Sequence, residues 1–346
     1  MLLGSMTDAG SAGVVQMRVV RRRDVLALVA GAALSSPGAR AQPSGVRRVG
    51  LLMGGRGEAD PEGQARLAVV RSGLHDLGWE EGRNLHLELR WAAGDRAQID
   101  AHAAELVRLN PEVIVGNSTP AIAALAKATR SIPIVFAQLV DPVGLGFVAS
   151  LARPGGNVTG FTFVDLELVA KWPEVLKEAV PGLSRAALLF NPDSTPFYHD
   201  FLRELESRGA SSGLYAAPVR TLGEIEPALA EIARPPGGGL VIPPNPFIGA
   251  NRRLVADLAQ KHKVPSISVY RDYAQAGGLM SYGPDSLDIF RRSTEYVDRI
   301  LKGANPAELP VQAPTRYELV VNLKAAKAIG VDVAPAFLVR ADEVVE

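Results

Sequence analysis

The sequence contains no cysteine among its 346 residues. This absence excludes thiolate catalysis, iron–sulfur clusters, cysteine-ligated zinc, disulfides and lipid modification of an N-terminal cysteine. The five histidines are scattered without the spacing of metal ligands, and no G-x-S-x-G nucleophile elbow occurs. We therefore expect a protein that is not an enzyme and that carries neither a metal ion nor a cofactor.

An excess of charge of either sign is also missing, because 37 Lys and Arg residues balance 37 Asp and Glu residues. The field that draws a basic protein to nucleic acid or to anionic lipid is therefore absent. No apolar run reaches the ~18 residues that span a bilayer, so we expect no membrane segment. These absences favour a small-molecule solute as the partner.

Residues 1–41 have the organisation of an export signal, with an arginine-rich region, a short apolar stretch and a small-x-small cleavage site at Ala39-Arg40-Ala41. The run Arg22-Arg23-Asp24-Val25-Leu26 follows the twin-arginine pattern, although an ordinary Sec signal remains an alternative. Residues 1–16 precede Met17 and are consistent with an upstream mis-start. We expect the mature protein in the periplasm, as a monomer.

The rest of the chain alternates short Val, Ile and Leu runs with stretches of helical period, which is typical of an α/β fold with parallel sheets covered on both faces. Because single cores stop growing near ~250–300 residues, a chain of 346 residues predicts two lobes. The predicted strands are Val49–Met53, Leu85–Arg90, Val113–Gly116, Pro133–Ala137, Ala187–Phe190, Leu214–Val219, Leu240–Pro243, Pro265–Val269, Gly278–Tyr282 and Tyr317–Asn322.

The first four strands recur as the next four at offsets between 127 and 138 residues, which predicts two similar doubly wound, Rossmann-like lobes. Turn-rich or extended segments at 153–165, 281–285 and 314–317 predict three crossings between them. The first lobe would contain 47–160 plus 286–313, and the second 165–281 plus 317–346. Such sheets bind ligands at the carboxyl ends of their strands, so two facing sheets enclose a cleft like a clamshell.

Polar residues at the predicted strand ends of the first lobe are candidates for contacting the solute. The start of the helix after Val113–Gly116 offers unpaired amides to an anionic group such as a carboxylate, and a nearby carboxylate could balance a positive group of a zwitterion. Each candidate has the alternative role of a helix cap or an exposed turn. The candidates here are Gly55, Arg56, Asn117, Ser118, Thr119, Gln138 and Asp141.

The second lobe offers a smaller set of candidates at equivalent strand ends. Amide side chains could bind a polar solute, and the aromatic rings could stack on a flat or apolar one, but each ring could equally be a core residue. The candidates are Asn191, Asn245, Phe247, Tyr270 and Tyr282, and Asp272 lies next to the same strand end as Tyr270.

Seven ordered stretches resemble the ABC transporter substrate-binding family, whose characterised members include tryptophan- and tyrosine-binding lipoproteins. The resemblance implies a type I periplasmic-binding-protein fold, capture of a small solute, and an ABC permease and ATPase as partners. One loop departs from it, reading Asn245-Pro246-Phe247 where many relatives have Asp-Pro-Phe, so a charged contact from that loop is not carried over. The matching stretches are 73–84, 90–91, 132–136, 141–146, 151–160, 276–283 and 309–315.

Two alternatives to an importer component remain open at this point. The first is an exported protein that senses a ligand for a membrane receptor. The second is a dinucleotide-dependent oxidoreductase, because Gly144–Ala149 reads G-x-G-x-x-A after a strand, with Asp165 about twenty residues on. The glycines of that motif, however, stand several residues beyond the predicted strand end.

Overall fold

The computed structural model describes residues 45–209 and 213–346. The predicted export signal at 1–41 lies outside the described residues. The described chain forms two sheets with helices on both faces, which confirms the predicted α/β class with two Rossmann-like lobes.

The first sheet has five parallel strands in the order β2-β1-β3-β4-β5. Strands β3, β4 and β5 are almost fully buried because helices cover both faces, whereas edge strand β2 is partly exposed. Alternate residues of β1 enter different cores, with Leu51 on one face and Leu52 on the other. The strands are β1 (Arg47–Met53), β2 (Leu85–Trp91), β3 (Val113–Asn117), β4 (Ile134–Leu139) and β5 (Val158–Thr162). The intervening helices are α1 (Pro61–Asp76), α2 (Arg96–Arg108) and α3 (Thr119–Ala128).

The second sheet has seven strands in the order β12-β11-β10-β9-β8-β6-β7. Its strands are β6 (Arg185–Phe190), β7 (Leu214–Pro218), β8 (Gly238–Ile242), β9 (Ser266–Ser268), β10 (Met280–Pro284), β11 (Tyr317–Asn322) and β12 (Glu343–Val345). Its helices are α4 (Leu166–Ala179), α5 (Phe197–Ser207), α6 (Leu222–Ala233), α7 (Pro246–Ala250), α8 (Arg252–Lys261), α9 (Arg271–Gln275), α11 (Leu323–Ile329) and α12 (Pro335–Leu338).

The internal repeat of the sequence reappears as an identical strand order in the two sheets. Read from its other edge, the second sheet runs β7-β6-β8-β9-β10, which matches β2-β1-β3-β4-β5 strand for strand. The strands β11 and β12 extend this order, and β11 runs antiparallel to β10. The carboxyl ends of both sets of strands therefore have equivalent positions in the two lobes.

Helix α10 (Ser286–Leu301) follows β10 of the second sheet but packs against α1 and β4 of the first. The approach to α1 is close, since a Cβ atom on Gly73 would lie 2.6 Å from the Thr294 hydroxyl. The connecting segments run side by side, with the Thr162 amide donating to the Gln312 carbonyl at 2.9 Å and the Asp285 amide donating to the Arg316 carbonyl at 3.1 Å.

Candidate functional site

The first two candidate loops of the first lobe are joined at the carboxyl edge of the sheet. Strands β1 and β3 are neighbours, with Met53 opposite Asn117. The Asn117 side-chain oxygen accepts the Gly54 amide at 2.9 Å, so the loop carrying Gly55 and Arg56 is fixed beside the end of β3. The same loop meets the second lobe, since a Cβ atom on Gly55 would lie 3.8 Å from Pro246.

Gln138 lies in a β-bulge where β4 shifts its register against β5, and its φ of 66° is unusual for a residue other than glycine. Its oxygen accepts hydrogen bonds from Arg66 at 3.1 Å and from Asn117 at 3.5 Å. Its nitrogen donates to the Ser286 hydroxyl at 2.7 Å. The bulge thus joins α1, β3 and the start of α10 at one point.

Ser118 precedes α3 in a backbone conformation that is essentially restricted to glycine, with φ 80° and ψ 146°. Its hydroxyl does not cap the helix, and its buried Oγ has no hydrogen-bond partner within the described part of the chain. Thr119 is partly buried and begins the helix. The strained backbone therefore holds an unpaired hydroxyl next to helix amides that no side chain caps.

Two arginines, Arg56 and Arg66, are each only 2% exposed, and both guanidinium groups lie against the ring of Tyr270 from the second lobe. Arg66 also contacts the ring of Phe290, and Tyr270 stacks on Phe163 at 5.4 Å between ring centroids. Arg56 Nε and Arg66 Nη2 are buried without a hydrogen-bond partner among residues 45–209 and 213–346. Buried unpaired N–H groups are costly, so this position favours a ligand with acceptor atoms.

Four charged side chains form a network between the lobes, which we call the interlobe quartet: Arg56, Asp60, Arg252 and Asp272. The first two belong to the first lobe and the last two to the second. Asp272 accepts a hydrogen bond from Arg56 at 2.8 Å and forms an ion pair with Arg252 at 2.7 Å. Arg252 also contacts Asp60 at 2.6 Å. The lobes are therefore in contact through paired charges.

The quartet shifts the pKa values of two of its members, Arg56 and Asp60. Burial by itself lowers the pKa of Arg56, but the charges of Asp272, Tyr270 and Asp60 outweigh it and raise that pKa above its ordinary value. Burial likewise acts to raise the pKa of Asp60, yet the hydrogen bond from Arg252 and the charge of Arg56 lower it overall. Arg56 and Asp60 are thus held in their charged forms.

A cavity of about 480 Å³ lies beside the quartet, and residues of both lobes line it, among them Glu62, Asp272 and Ser286. Cavities of ~300–1,000 Å³ are the usual size for binding small organic molecules. The cavity between the lobes is therefore of a size that suits a small solute, and it reaches the quartet at Asp272.

The candidate amides of the second lobe hold their own loops. Asn245 caps α7 by accepting the Ile248 amide at 3.0 Å, and its nitrogen donates to Thr195 at 2.8 Å and to Ser194 at 3.2 Å. Asn191 accepts the amides of residues 193 and 194 and donates to the Arg220 carbonyl. Both side chains are engaged in connecting neighbouring turns.

The remaining candidates lie around this cluster. Phe247 is partly buried, and its backbone approaches the first lobe, since a Cβ atom on Gly94 would lie 3.1 Å from its Cα. The Tyr282 carbonyl accepts the Trp172 indole N–H at 2.9 Å. Asp141 has φ 41° and accepts the Gly144 amide at 2.8 Å, as a capping residue does. Residues 142–149 form turns, and the next helix begins at Leu166, whereas a dinucleotide fingerprint opens a helix at its glycines.

The sequence alone does not identify three residues of the candidate site: Arg66, Asp60 and Arg252. For Arg66 a signal was present, because it falls on the same helical face as Gly63, Leu67 and Val70, all of which are buried. An arginine on the apolar face of an amphipathic helix has to be paired in the interior. Asp60 has the appearance of an ordinary N-cap, and it does accept the amides of residues 62 and 63.

Two features are absent from residues 45–209 and 213–346. No group of three or more His, Cys, Asp or Glu side chains in them could hold a metal ion. None of their helices has both the length and the apolar character needed to cross a membrane.

The two facing lobes and the polar cluster between them define a two-lobed binding protein. A model of the family described as ABC transporter substrate binding protein matches residues 62–345, and the chain belongs to that family. The Tyrosine-binding protein of Clostridioides difficile (strain R20291) is 25% identical over 262 residues, which are 74% of each chain.

Solved structures show the same fold. A conserved domain protein from Vibrio cholerae O1 biovar El Tor str. N16961 is 29% identical with a TM-score of 0.77, covering 86% of this chain and 99% of that one. An ABC domain from Streptococcus pneumoniae in complex with L-Trp is 24% identical with a TM-score of 0.75 and the same coverage. The resemblance to the family and to the type I fold is confirmed.

Replacing Ser118 and Thr119 together by alanine is expected to weaken solute binding by roughly 1–3 kcal/mol, the range for losing hydrogen bonds to a charged partner. Because the Ser118 hydroxyl has no partner in the described structure, its removal should change the free energy of unfolding little. Calorimetry with the co-purified solute measures the effect, and the control is Ser207→Ala, at the exposed last residue of α5. Full affinity in the double variant would make these residues structural caps only.

Proposed function

We propose that this protein is the periplasmic solute-binding component of an ABC importer and that it captures a small organic carboxylate between its two lobes. One observation carries the proposal: three buried donors, Arg56 Nε, Arg66 Nη2 and Ser118 Oγ, have no hydrogen-bond partner in the described chain, and the two arginines lie where the lobes meet. A carboxylate would accept from guanidinium and hydroxyl groups in short, charge-assisted hydrogen bonds.

Family membership supports the importer role, because a substrate-binding protein passes its solute to a membrane permease that an ATPase drives. The relatives named for tyrosine and solved with L-Trp support a solute that carries a carboxylate. Capture requires no covalent step, since a ligand that binds the closed state better shifts the population of lobes toward it. The twin-arginine signal would deliver the folded protein to the periplasm as a monomer, with no covalent anchor.

Small-angle scattering tests the closing of the lobes. We expect a smaller radius of gyration with the solute than without it, because the quartet and the unpaired donors are brought together only when the lobes meet. The closed value should lie near about 19 Å, the scaling expected for a compact chain that begins near residue 42. An unchanged radius at saturation would argue strongly against closure on binding.

Uptake measurements separate an importer from a sensor. A strain that lacks the gene should lose high-affinity uptake of the co-purified solute and recover it on complementation. If uptake persists while a transcriptional response to the solute disappears, the protein serves a receptor and the importer role is wrong.

A further inference from the structure

The buried side-chain atoms that have no hydrogen-bond partner in the described part of the chain are all arginine nitrogens or serine hydroxyls. Five occur in the described ranges: three arginine nitrogens and two serine hydroxyls, and no carboxylate oxygen is among them. Arg56 and Arg66 lie against Tyr270 where the lobes meet, and Ser118 stands at the end of β3 beside Gly54. The fully buried groups that lack a partner in the described chain are therefore hydrogen-bond donors rather than carboxylates.

The carboxylates near these donors are already paired with arginines. Glu62 contacts Arg66 at 3.0 Å, and within the interlobe quartet Asp60 and Asp272 share the guanidinium of Arg252. Asp272 is also bonded to Arg56. A cationic group arriving here would have to compete with a guanidinium for each of these carboxylates.

The other carboxylates that line the cavity, Asp285 and Glu318, are paired with Arg316 at 3.7 Å and with Arg271 at 3.2 Å. Two candidate side chains, Asn245 and Asp141, remain to be considered as partners for a positive group. Asn245 is neutral, and its nitrogen and oxygen are both engaged within the second lobe. The Asp141 carboxylate accepts the Gly144 amide and is partly exposed to water beside its own turn. Neither presents a buried, unpaired carboxylate to the space around the buried arginines.

We propose that the solute is a carboxylate that carries no ammonium group, so that this protein binds an organic acid in preference to the corresponding amino acid. The inference rests on the proposed function. It replaces the zwitterion expected from Asp141 with a simple anion, because the cleft supplies donors for a carboxylate and no free partner for an amine.

The physical reason is that a carboxylate of the solute would find hydrogen-bond partners in this site, whereas an ammonium group would not. A carboxylate would accept from Arg66, Arg56 and Ser118 and so satisfy donors that are otherwise buried and unpaired. An ammonium would bring three further donors close to three arginines and would lose its hydration without gaining acceptors. The same solute skeleton should therefore bind more tightly without its amine.

Matched pairs of probes test this directly by calorimetry on the mature protein. The pairs are 3-(4-hydroxyphenyl)propionate with L-tyrosine, 3-phenylpropionate with L-phenylalanine, and 4-methylpentanoate with L-leucine. Within each pair the skeleton is constant and only the α-ammonium differs. In any pair that binds, we expect the compound without the amine to have at least a tenfold lower Kd.

The solute that co-purifies with the protein from its native periplasm provides an independent test of the inference. Mass spectrometry of the compound released on denaturation should show an acid without an amine. An amine-bearing solute, or an amino acid that binds more tightly than its deaminated partner, would overturn the inference while leaving the binding function intact. A protein that binds no solute at all would instead contradict the proposed function.

Two arginine variants locate the interaction. Arg66→Gln should raise the Kd of the bound acid roughly tenfold, because it removes the unpaired Nη2 donor. Arg185→Gln is the matched control, since Arg185 also has a buried unpaired Nε but contacts Tyr215 at the edge of the second sheet. Equal losses in both variants, or none in Arg66→Gln with the fold intact by circular dichroism, would place the acid elsewhere.

Discussion

Asp272→Asn is expected to weaken solute binding by about 100-fold while leaving each lobe folded. The substitution keeps the shape of the side chain but removes the charge that Arg56 and Arg252 share at 2.8 and 2.7 Å. Breaking a buried ion pair typically costs ~3–5 kcal/mol, because the remaining charge stays buried without a partner. Only the closed state bears this cost, since in an open cleft both arginines would face water.

The effect should appear as a change in the population of closed protein. Apparent affinity falls in proportion to the fraction of molecules that can close, so a closed state made less stable by ~3 kcal/mol binds about 100-fold more weakly. Scattering should then show a larger radius at solute concentrations that saturate the wild type. Asp257→Asn is the control, because its pair with Arg253 is exposed and 3.8 Å long. Unchanged binding in Asp272→Asn would mean that the quartet does not hold the lobes together.

Gly160→Ala is expected to destabilise the first lobe by roughly 3 kcal/mol or more, the effect of forcing a side chain where neither backbone nor space allows one. Gly160 lies in β5 with φ 148°, and a Cβ atom there would stand 2.1 Å from the Phe136 carbonyl oxygen. The Gly160 carbonyl also accepts the Gln312 amide at 2.9 Å in a segment that connects the lobes.

Thermal unfolding measures this effect, and Gly156→Ala provides a close control. Gly156 stands four residues earlier in the same stretch, and a Cβ atom there would have no heavy atom within 4 Å. We expect Gly160→Ala to lower the Tm by roughly 5 °C or more and Gly156→Ala to leave it nearly unchanged. Similar midpoints for the two variants would show that β5 can shift away from β4 at little cost.

The strands that could be predicted from the sequence are those that consist almost entirely of apolar residues because they are buried. The Val, Ile and Leu runs of β1, β3, β6 and β8 are buried on both faces, so their periodicity and their repeat were visible without tertiary context. Strand β12, of three residues, has no such signal, because it is partly exposed at the sheet edge. Strand β11 runs antiparallel to β10. That direction depends on the path of the chain between the lobes, and the local sequence carries no signal for it.

Residues of the candidate site could be predicted from the sequence only where they lie at the ends of predicted strands. Gln138 and Ser118 were named because they come directly after β-rich runs, and the structure joins Gln138 to Asn117 by a hydrogen bond. Arg252 and Asp60 are 192 residues apart and sit on helices that begin ordinarily, so their pairing at 2.6 Å could not be seen in one sequence. Interactions between lobes depend on where whole helices are placed, and no local pattern records that.

The Asp60 carboxylate links the start of α1 to the second lobe. It accepts two backbone amides of the first turn of α1, and it also accepts a hydrogen bond from Arg252 of the second lobe. A movement of Arg252 away from the first lobe would therefore act on the start of α1, which packs against α10, the helix that returns from the second lobe. We expect the orientation of α1 to differ between the open and the closed protein.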